Sequence, residues 1–532
     1  MKITKILFTL LFINVIAVQA YAQTQEEITA LEKISSSFNE GTASPGGVIT
    51  VAKDGVAFFN KAYGSADLEH GIDNTVNTIF EAGSVSKQFT ATAALLLIRD
   101  KKLALEDDVR KYIPELPDYG RVMKIKHLLT HTSGLKDWGS VFAIAGWPRG
   151  TKAYSQNDAK DLICSQKTLN FLPGDEYSYS NSNFTLLAVT VERISKMPFA
   201  AFCNKYLFEP VGMKNTRWRD NFRQIVKNRA VGYAKRGDEI LQDMPFENTH
   251  GHGGLLTTTE DLLKWLDYWN KDKFGKEIST LRLTQGILNN GKKIEYTYGA
   301  VFFKTINGIT EISHSGLTAG YRGWLAYYPQ KGITVACLGN GLTLPSKQLT
   351  ETFAGKRKSG VDKGTGAVSE QVAEKLQGLY KNINGNETLE IVKKDKKAFM
   401  KTGAEVLKYA GDTLSTGSRY IVANADYSGF VSIIDTDTLH FVKLEKFTPS
   451  IQELQKYVGT FYSEECNANY NMYIKNGKLV LSRKPGEELN MMPIYKDAFY
   501  IGGTLVQFNF GANITLSASV DRAQNIVFVK KN

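Results

Sequence analysis

The chain lacks most of the features that assign a function at a glance. Its 532 residues hold four cysteines, Cys164, Cys203, Cys337 and Cys466, and no two have CxxC spacing, which argues against a structural zinc. Cys337, in the apolar run ITVACLG, reads as a small buried residue, and Cys164 with Cys203 is a conceivable disulfide in an exported protein. No apolar run of membrane-spanning length follows the first twenty or so residues. Clustered basic charge is also missing: the formal charge is +11, but the lysines and arginines are scattered among acids, so no nucleic-acid face emerges. At most, that charge draws the protein weakly towards an anionic envelope or wall. Disordered composition is absent too. With 42% hydrophobic and 22% charged residues the chain is globular, and its length calls for two or three domains.

What is present begins at the N-terminus. Lys2 and Lys5 precede an apolar stretch from Ile6 to Val18, and Ala20-Tyr21-Ala22 is a small-x-small cleavage site. Residues 1–22 therefore read as a secretory signal peptide, too short to be a good membrane span. The mature protein is expected to be exported, periplasmic or secreted, with a charge of +9 once Lys2 and Lys5 are gone.

Residues 23–354 mix strands and helices. GGVITVAKDGVAFFNKAYG (46–64) predicts two strands around a tight Lys53-Asp54-Gly55 turn. SKQFTATAALLLIRDKKL (86–103) predicts a helix that is apolar almost all round and hence buried. Thr257-Thr258-Thr259-Glu260 shows a capping-box pattern ahead of DLLKWLDYW. ITEISHSG, YRGWLAYYP and GITVACLGN predict three successive strands. Strands, then helices, then strands suit an α+β domain whose sheet gathers both ends of the segment. Residues 355–370, rich in Gly, Ser and Lys, read as a linker. Residues 371–532 are short alternating runs. Gly378 to Gly459 and Asp395 to Asn476 share an offset of 81 residues, which predicts a tandem all-β region of one or two small antiparallel barrels. Asn476-Gly477 is its strongest hairpin signal.

Ser84-Val85-Ser86-Lys87 has the form S-x-x-K. On a helix, residues three apart share a face, so Ser84 and Lys87 can meet. A serine hydroxyl is a poor nucleophile without a neighbouring base, and a helix head offers N–H groups to a developing oxyanion. Ser133-Gly134-Leu135-Lys136 matches the same pattern, but in a glycine-containing loop. Pro173 to Asn181 turns and then presents Tyr179 and Asn181, a phenol that can relay protons and an amide that can orient a lysine and a substrate. His314-Ser315-Gly316 lies on a predicted strand, where small residues let a substrate backbone approach.

Taken in order, S-x-x-K, then Y-S-N about 95 residues on, then H-x-G about 135 residues later resemble the serine β-lactamase-related family. This family includes class C β-lactamases, DD-peptidases of the penicillin-binding type, esterases and D-aminopeptidases. HLLTHTSGL (127–135), PGDEYSYSNSNFTLLA (173–188), GGLLTTTEDLLKW (253–265) and HSGLTAGYRG (314–323) carry the same resemblance over about 40 to 345. It implies a β-lactamase/transpeptidase-like domain, an antiparallel sheet flanked by helices, and it selects Ser84 over Ser86 and over Ser133/Lys136. It implies Ser84 as acylated nucleophile, Lys87 as its activator and Tyr179 as proton relay. Asn181, His314, Ser315 and Gly316 would bind substrate, and the N–H groups of Ser84 and Leu317 would form the oxyanion hole. No cofactor or metal is implied. The substrate would be a small molecule or peptide, possibly a cell-wall peptide, and nucleic acid is not expected as a partner. The lactam-recognising relatives have Lys-Thr-Gly where this chain has His-Ser-Gly. A histidine is mostly neutral at pH 7, which favours the esterase and D-aminopeptidase branches over carboxylate recognition. The D-aminopeptidases also carry two β-barrels after the catalytic domain, a layout the lipocalin-like tail resembles.

The expectation is thus an exported serine hydrolase acting on esters or amides, D-residue peptides favoured. The alternatives are a penicillin-type binding or sensor protein that acylates without efficient turnover, a true class C β-lactamase, or a non-catalytic wall-binding protein. Three features have plainer readings. His250-Gly251-His252 lacks the Asp-His that a metallo-hydrolase would add. Trp147, Pro148 and Arg149 line the substrate mouth or simply pack, and Glu464-Glu465 border the cleft or are solvated.

Overall fold

The computed structural model describes residues 25–531 apart from 37–43, 342, 357–364, 384, 402–404, 411–412, 417–418 and 435–436. The expected signal peptide and half of the expected linker lie outside the described residues. The chain divides into two compact units: Met1–Asp137 with Arg149–Arg357, and Trp138–Pro148 with Lys358–Asn532.

The first unit is built on an eight-stranded antiparallel sheet. In spatial order its strands are Gln285–Ile287, Lys293–Thr297, Phe302–Ile306, Ile309–Thr318, Tyr321–Tyr328, Ile333–Gly339, Gly47–Lys53 and Val56–Tyr63. The two ends of the 23–354 segment do meet in it: Gly47–Lys53 pairs with Ile333–Gly339, Ile49 facing Cys337. Gly47–Lys53 is buried on both faces except at Lys53, so it reads as continuous apolar sequence rather than alternation. Asp54 and Gly55, both left-handed, close its hairpin to Val56–Tyr63. One sheet face is covered by the helix over 25–36 and by Ser346–Ala354, where Leu31, Leu349 and Phe353 pack on Val51, Trp324 and Tyr328. Lys87–Arg99 and Thr259–Asn270 pack together, with the Phe89 and Trp265 rings stacked at 4.0 Å. Thr259–Asn270 also lies against strands Gly47–Lys53 and Ile333–Gly339. Lys87–Arg99 is buried on every face from Lys87 to Leu97, as its sequence predicts.

The predicted helix over 86–103 is shorter than expected. Gly83–Ser86 is a 3-10 turn, the α-helix runs Lys87–Arg99, and Lys101 with a left-handed φ lies just beyond it.

Among the described residues the second unit contains two antiparallel sheets, of ten and nine strands, each curled into a barrel. In the first, Gly378–Asn382 pairs with Thr388–Lys394 on one side and with the last strand, Asp437–Leu444, on the other. Closure is completed by one bent strand. Glu405–Val406 pairs with Lys397–Met400, Lys408–Ala410 pairs with Thr413–Thr416, and Leu407 between them is fully buried. The second barrel repeats the device. Gly459–Ser463 pairs with Ala468–Lys475 and with the final strand Ala523–Lys530, and buried Met491 joins Glu487–Asn490 to Met492–Tyr495. Closure removes free strand edges. The first interior is filled by Tyr380, Ile391, Met400, Phe430 and Phe441, so that barrel is a packed core. Trp138–Pro148 belongs to this unit although its sequence neighbours do not: Tyr470 donates to the Ile144 carbonyl at 2.6 Å and Arg483 to those of Ala143 and Ile144 at 3.0 Å.

Candidate active site

The site begins where a short strand, Phe80–Glu81, turns into the buried helix. Gly83 has φ +53°, and a Cβ there would lie 2.5 Å from Leu317 N. A Cβ on Gly316 would lie 2.0 Å from the Ala82 carbonyl oxygen and 2.9 Å from Ser84 N. The two glycines let the 3-10 turn press against strand Ile309–Thr318 and bring the Ser84 and Leu317 amides together. In a 3-10 turn residues i and i+3 eclipse, which sets Lys87 beside half-buried Ser84.

Lys87 is fully buried. Its Nζ lies 3.0 Å from Ser84 Oγ, 2.9 Å from Asn181 Oδ1 and 2.6 Å from the His252 carbonyl oxygen. An amide oxygen and a carbonyl only accept, so two N–H bonds are committed to them. The third position on the nitrogen faces Ser84, as an N–H in the ammonium or as a lone pair in the amine. Asn181 is held in turn: it heads helix Asn181–Ser195, and its N–H donates to the Asp137 carboxylate at 2.7 Å. Half-buried Tyr179 sets its ring centroid 4.8 Å from Lys87 Nζ.

His314 is buried within the sheet, its ring 6.2 Å from that of Tyr179. Its Nδ1 lies 2.5 Å from the Ser315 carbonyl, which can only accept, so Nδ1 carries the proton and Nε2 accepts from Tyr296 Oη at 3.0 Å. Burial, then the Lys87 charge, push its pKa down to about 3, so it is neutral at physiological pH. Ser315 and Leu317 are exposed and Gly316 is buried.

A buried ion network braces the turn. Arg219 donates to both oxygens of Glu81 at 2.8 and 3.0 Å and lies 3.8 Å from Glu247, which also pairs with Arg149. Burial would raise the Glu81 pKa, but the Arg219 charge and hydrogen bonds outweigh it and hold the carboxyl below its usual range. The network thus connects the strand before Ser84 to the segment that carries the His252 carbonyl.

The structure brings Ser84, Lys87, Tyr179 and Asn181 together, with His314 behind Tyr179 and Leu317 beside Ser84. The second S-x-x-K match does not assemble in this way: Ser133 donates to Asn183 at 2.5 Å and Lys136 to Thr168 at 2.9 Å. Arg149 joins the ion network, whereas Trp147 and Pro148 fall in the second unit. Glu464 and Glu465 lie in the turn between the first two strands of the second barrel, with Glu465 buried. His250 and His252 are buried, neutral rings, burial pushing the former to about 4 and the latter well below 6.5. All four cysteines are free thiols, so the conceivable Cys164–Cys203 disulfide is not formed. Sequence reasoning missed the His252 carbonyl, Asp137, Tyr296 and the Glu81–Arg219 pair. Backbone acceptors and partners far apart in sequence leave no local pattern, although His131 and Asp137 stood within or beside the quoted HLLTHTSGL.

A serine and a buried lysine at a helix head, against one strand of a helix-flanked antiparallel sheet, are the arrangement of a serine hydrolase. The chain belongs to the beta-lactamase family, whose model matches residues 31–356. Penicillin-binding protein 4* of Bacillus subtilis (strain 168) is 30% identical over 308 residues, covering 55% of this chain and 68% of that protein, while other curated relatives match over 59% of their length. The octameric penicillin-binding protein homologue from Pyrococcus abyssi superposes with a TM-score of 0.54 at 20% identity, over 88% of this chain and 99% of that one. A D-stereospecific amidohydrolase from Streptomyces sp. gives 0.52 at 19% identity, over 63% of this chain and 99% of its own. These two likenesses show the β-lactamase/transpeptidase-like fold. Among the described residues no helix is long and apolar enough to cross a membrane.

Proposed function

We propose that the chain hydrolyses esters or amides through an acyl-enzyme on Ser84, with peptides containing D-residues favoured. The observation that carries this is the Lys87 nitrogen, 3.0 Å from Ser84 Oγ with its other two bonds on obligate acceptors. In the amine form it takes the Ser84 proton as Oγ adds to the substrate carbonyl. The Ser84 and Leu317 N–H groups receive the oxyanion. Collapse of the tetrahedral species expels the alcohol or amine, which takes its proton through Tyr179. Water then enters, gives a proton back along the same path and releases the acid and Ser84.

The preference for D-residue amides is supported by neutral His314 in the third motif, which gives a substrate carboxylate no fixed cation, and by the likeness to a D-stereospecific amidohydrolase. The penicillin-binding relative supports a second reading, acylation without efficient turnover. The enzyme is read as exported, its leader being residues 1–22.

The test is a panel of short-chain p-nitrophenyl esters, nitrocefin, D-aminoacyl p-nitroanilides and D-Ala-D-Ala peptides, with a fluorophosphonate probe, on wild type and Ser84→Ala. Many turnovers on esters or D-aminoacyl amides, and no labelling of Ser84→Ala, are expected. Equal labelling of both proteins would sink the nucleophile, and a single turnover would favour the binding-protein reading.

A further inference from the structure

His131 is fully buried, yet it is neither a proposed nucleophile nor a proposed base. It follows the short helix Ile125–Leu129 and holds φ +57°, a left-handed value that costs most residues and that His and Asn adopt more readily. Its contacts converge on one segment. The His131 carbonyl accepts from Ser178 N–H at 3.0 Å. Its Nδ1 accepts from Ser180 N–H at 3.2 Å, with Asn183 Nδ2 3.1 Å away. Between those two amides lies Tyr179, whose ring is 4.2 Å from the imidazole. Tyr296, the donor to His314, packs on the same imidazole at 4.8 Å, and Phe184 at 5.1 Å.

From this geometry we infer that His131 is the positioning residue of the Tyr179–Asn181 segment: it grips the backbone on both sides of Tyr179 and supports its ring. A backbone N–H can only donate, so Nδ1 must be a bare acceptor and the neutral ring carries its proton on Nε2. The side chain therefore has to supply an acceptor at the Nδ1 position, tolerate left-handed φ and present a flat apolar face. Removing the acceptor frees the Ser180 amide and lets Tyr179 and Asn181 drift. Displacements of about 1 Å at a reacting centre cost up to about a hundredfold in rate.

The inference rests on Ser84 being the nucleophile, and its test separates the two. Full-length His131→Asn, His131→Gln, His131→Phe and Ser84→Ala are compared by p-nitrophenyl butyrate kinetics, rate of fluorophosphonate labelling and melting temperature. Asn places its oxygen near the Nδ1 position, Gln places it near Nε2, and Phe keeps a ring without an acceptor. His131→Asn should keep kcat within about threefold of wild type. His131→Gln and His131→Phe should lose about ten- to a hundredfold in kcat and labelling rate, with KM within about threefold. Equal kcat for the Asn and Gln variants, at equal melting temperature, would overturn the inference. That comparison stands even where the Phe variant fails to fold. Fluorophosphonate labelling of Ser84→Ala would remove the nucleophile instead, whatever the order of the His131 variants.

Discussion

The Asn181 and His252 carbonyl oxygens can never give the Lys87 nitrogen a proton, so in the acylation step the proton it takes comes from Ser84. That geometry makes a sharp demand on the residue type. Arginine would keep the positive charge and could bond the same carbonyls, but its guanidinium does not deprotonate near neutral pH. Lys87→Arg is therefore expected to lower kcat for a p-nitrophenyl ester by about 10²- to 10⁴-fold, the range associated with loss of a positioned base. Fluorophosphonate labelling should slow in parallel. A variant that remained folded and kept wild-type kcat would show that the lysine serves only as a cation. At this scale the sequence singled out Ser84, Lys87, Tyr179 and Asn181 by residue type and spacing, and the structure places them side by side. The sequence was silent about the His252 carbonyl because any residue carries one. It also left His314 at an ordinary histidine pKa, since burial beside Lys87 is a property of the fold.

The turn that carries Ser84 and the strand that carries Gly316 meet through backbone rather than side chains. Gly316 sits on Ala82, and the contact leaves no room for a methyl group: a Cβ would stand 2.0 Å from the Ala82 carbonyl oxygen and 2.9 Å from Ser84 N. Neither atom can swing away as a flexible side chain can. Gly316→Ala must therefore part the strand from the turn, at a cost of about 1–3 kcal/mol typical of overpacking. It must also move the Leu317 amide relative to Ser84. The expected outcome is a lower urea midpoint together with a fall in kcat of at least about tenfold, since loss of one oxyanion donor costs about 10²–10³. A stable variant with wild-type kcat would place the oxyanion donor elsewhere. This apposition explains how the sequence could be right about the sheet and imprecise about the helix. ITEISHSG, YRGWLAYYP and GITVACLGN carry strand composition along their whole length and form adjacent strands. The helix begins as a 3-10 turn because it must leave left-handed Gly83 under the strand, a constraint set by residues more than 200 positions away. The Glu81–Arg219 pair, 138 residues apart, was hidden for the same reason.

The two compact units do not coincide with two continuous stretches of sequence, because Trp138–Pro148 leaves the first unit to pack with the barrels and returns at Arg149. A probe of the first unit's stability must therefore be local to it, and labelling at Ser84 serves. That unit buries five histidines, and four of them are held neutral by a lowered pKa. Burial pushes His127 and His250 down to about 4 and His314 to about 3, and it holds His252 well below 6.5. In the unfolded chain each titrates near 6.5. Above that pH both states are neutral and stability does not respond. Below it the unfolded chain gains protons that the folded unit refuses, so stability falls as pH falls. Each histidine contributes about 1.4 kcal/mol per pH unit until its folded pKa is reached. Glu81, held below its usual range, adds to the loss only once the pH passes below the ordinary carboxylate pKa. His70, paired with Asp67, works the other way, but its side chain is 70% exposed and such pairs contribute little. The four rings all act in the same direction, so the fall in stability below pH 6.5 is steeper than one histidine would give. Urea titrations followed by Ser84 labelling at pH 7, 6 and 5 should therefore show midpoints that drop steeply below pH 6.5. Unchanged midpoints between pH 7 and 5 would mean that these rings accept protons without unfolding.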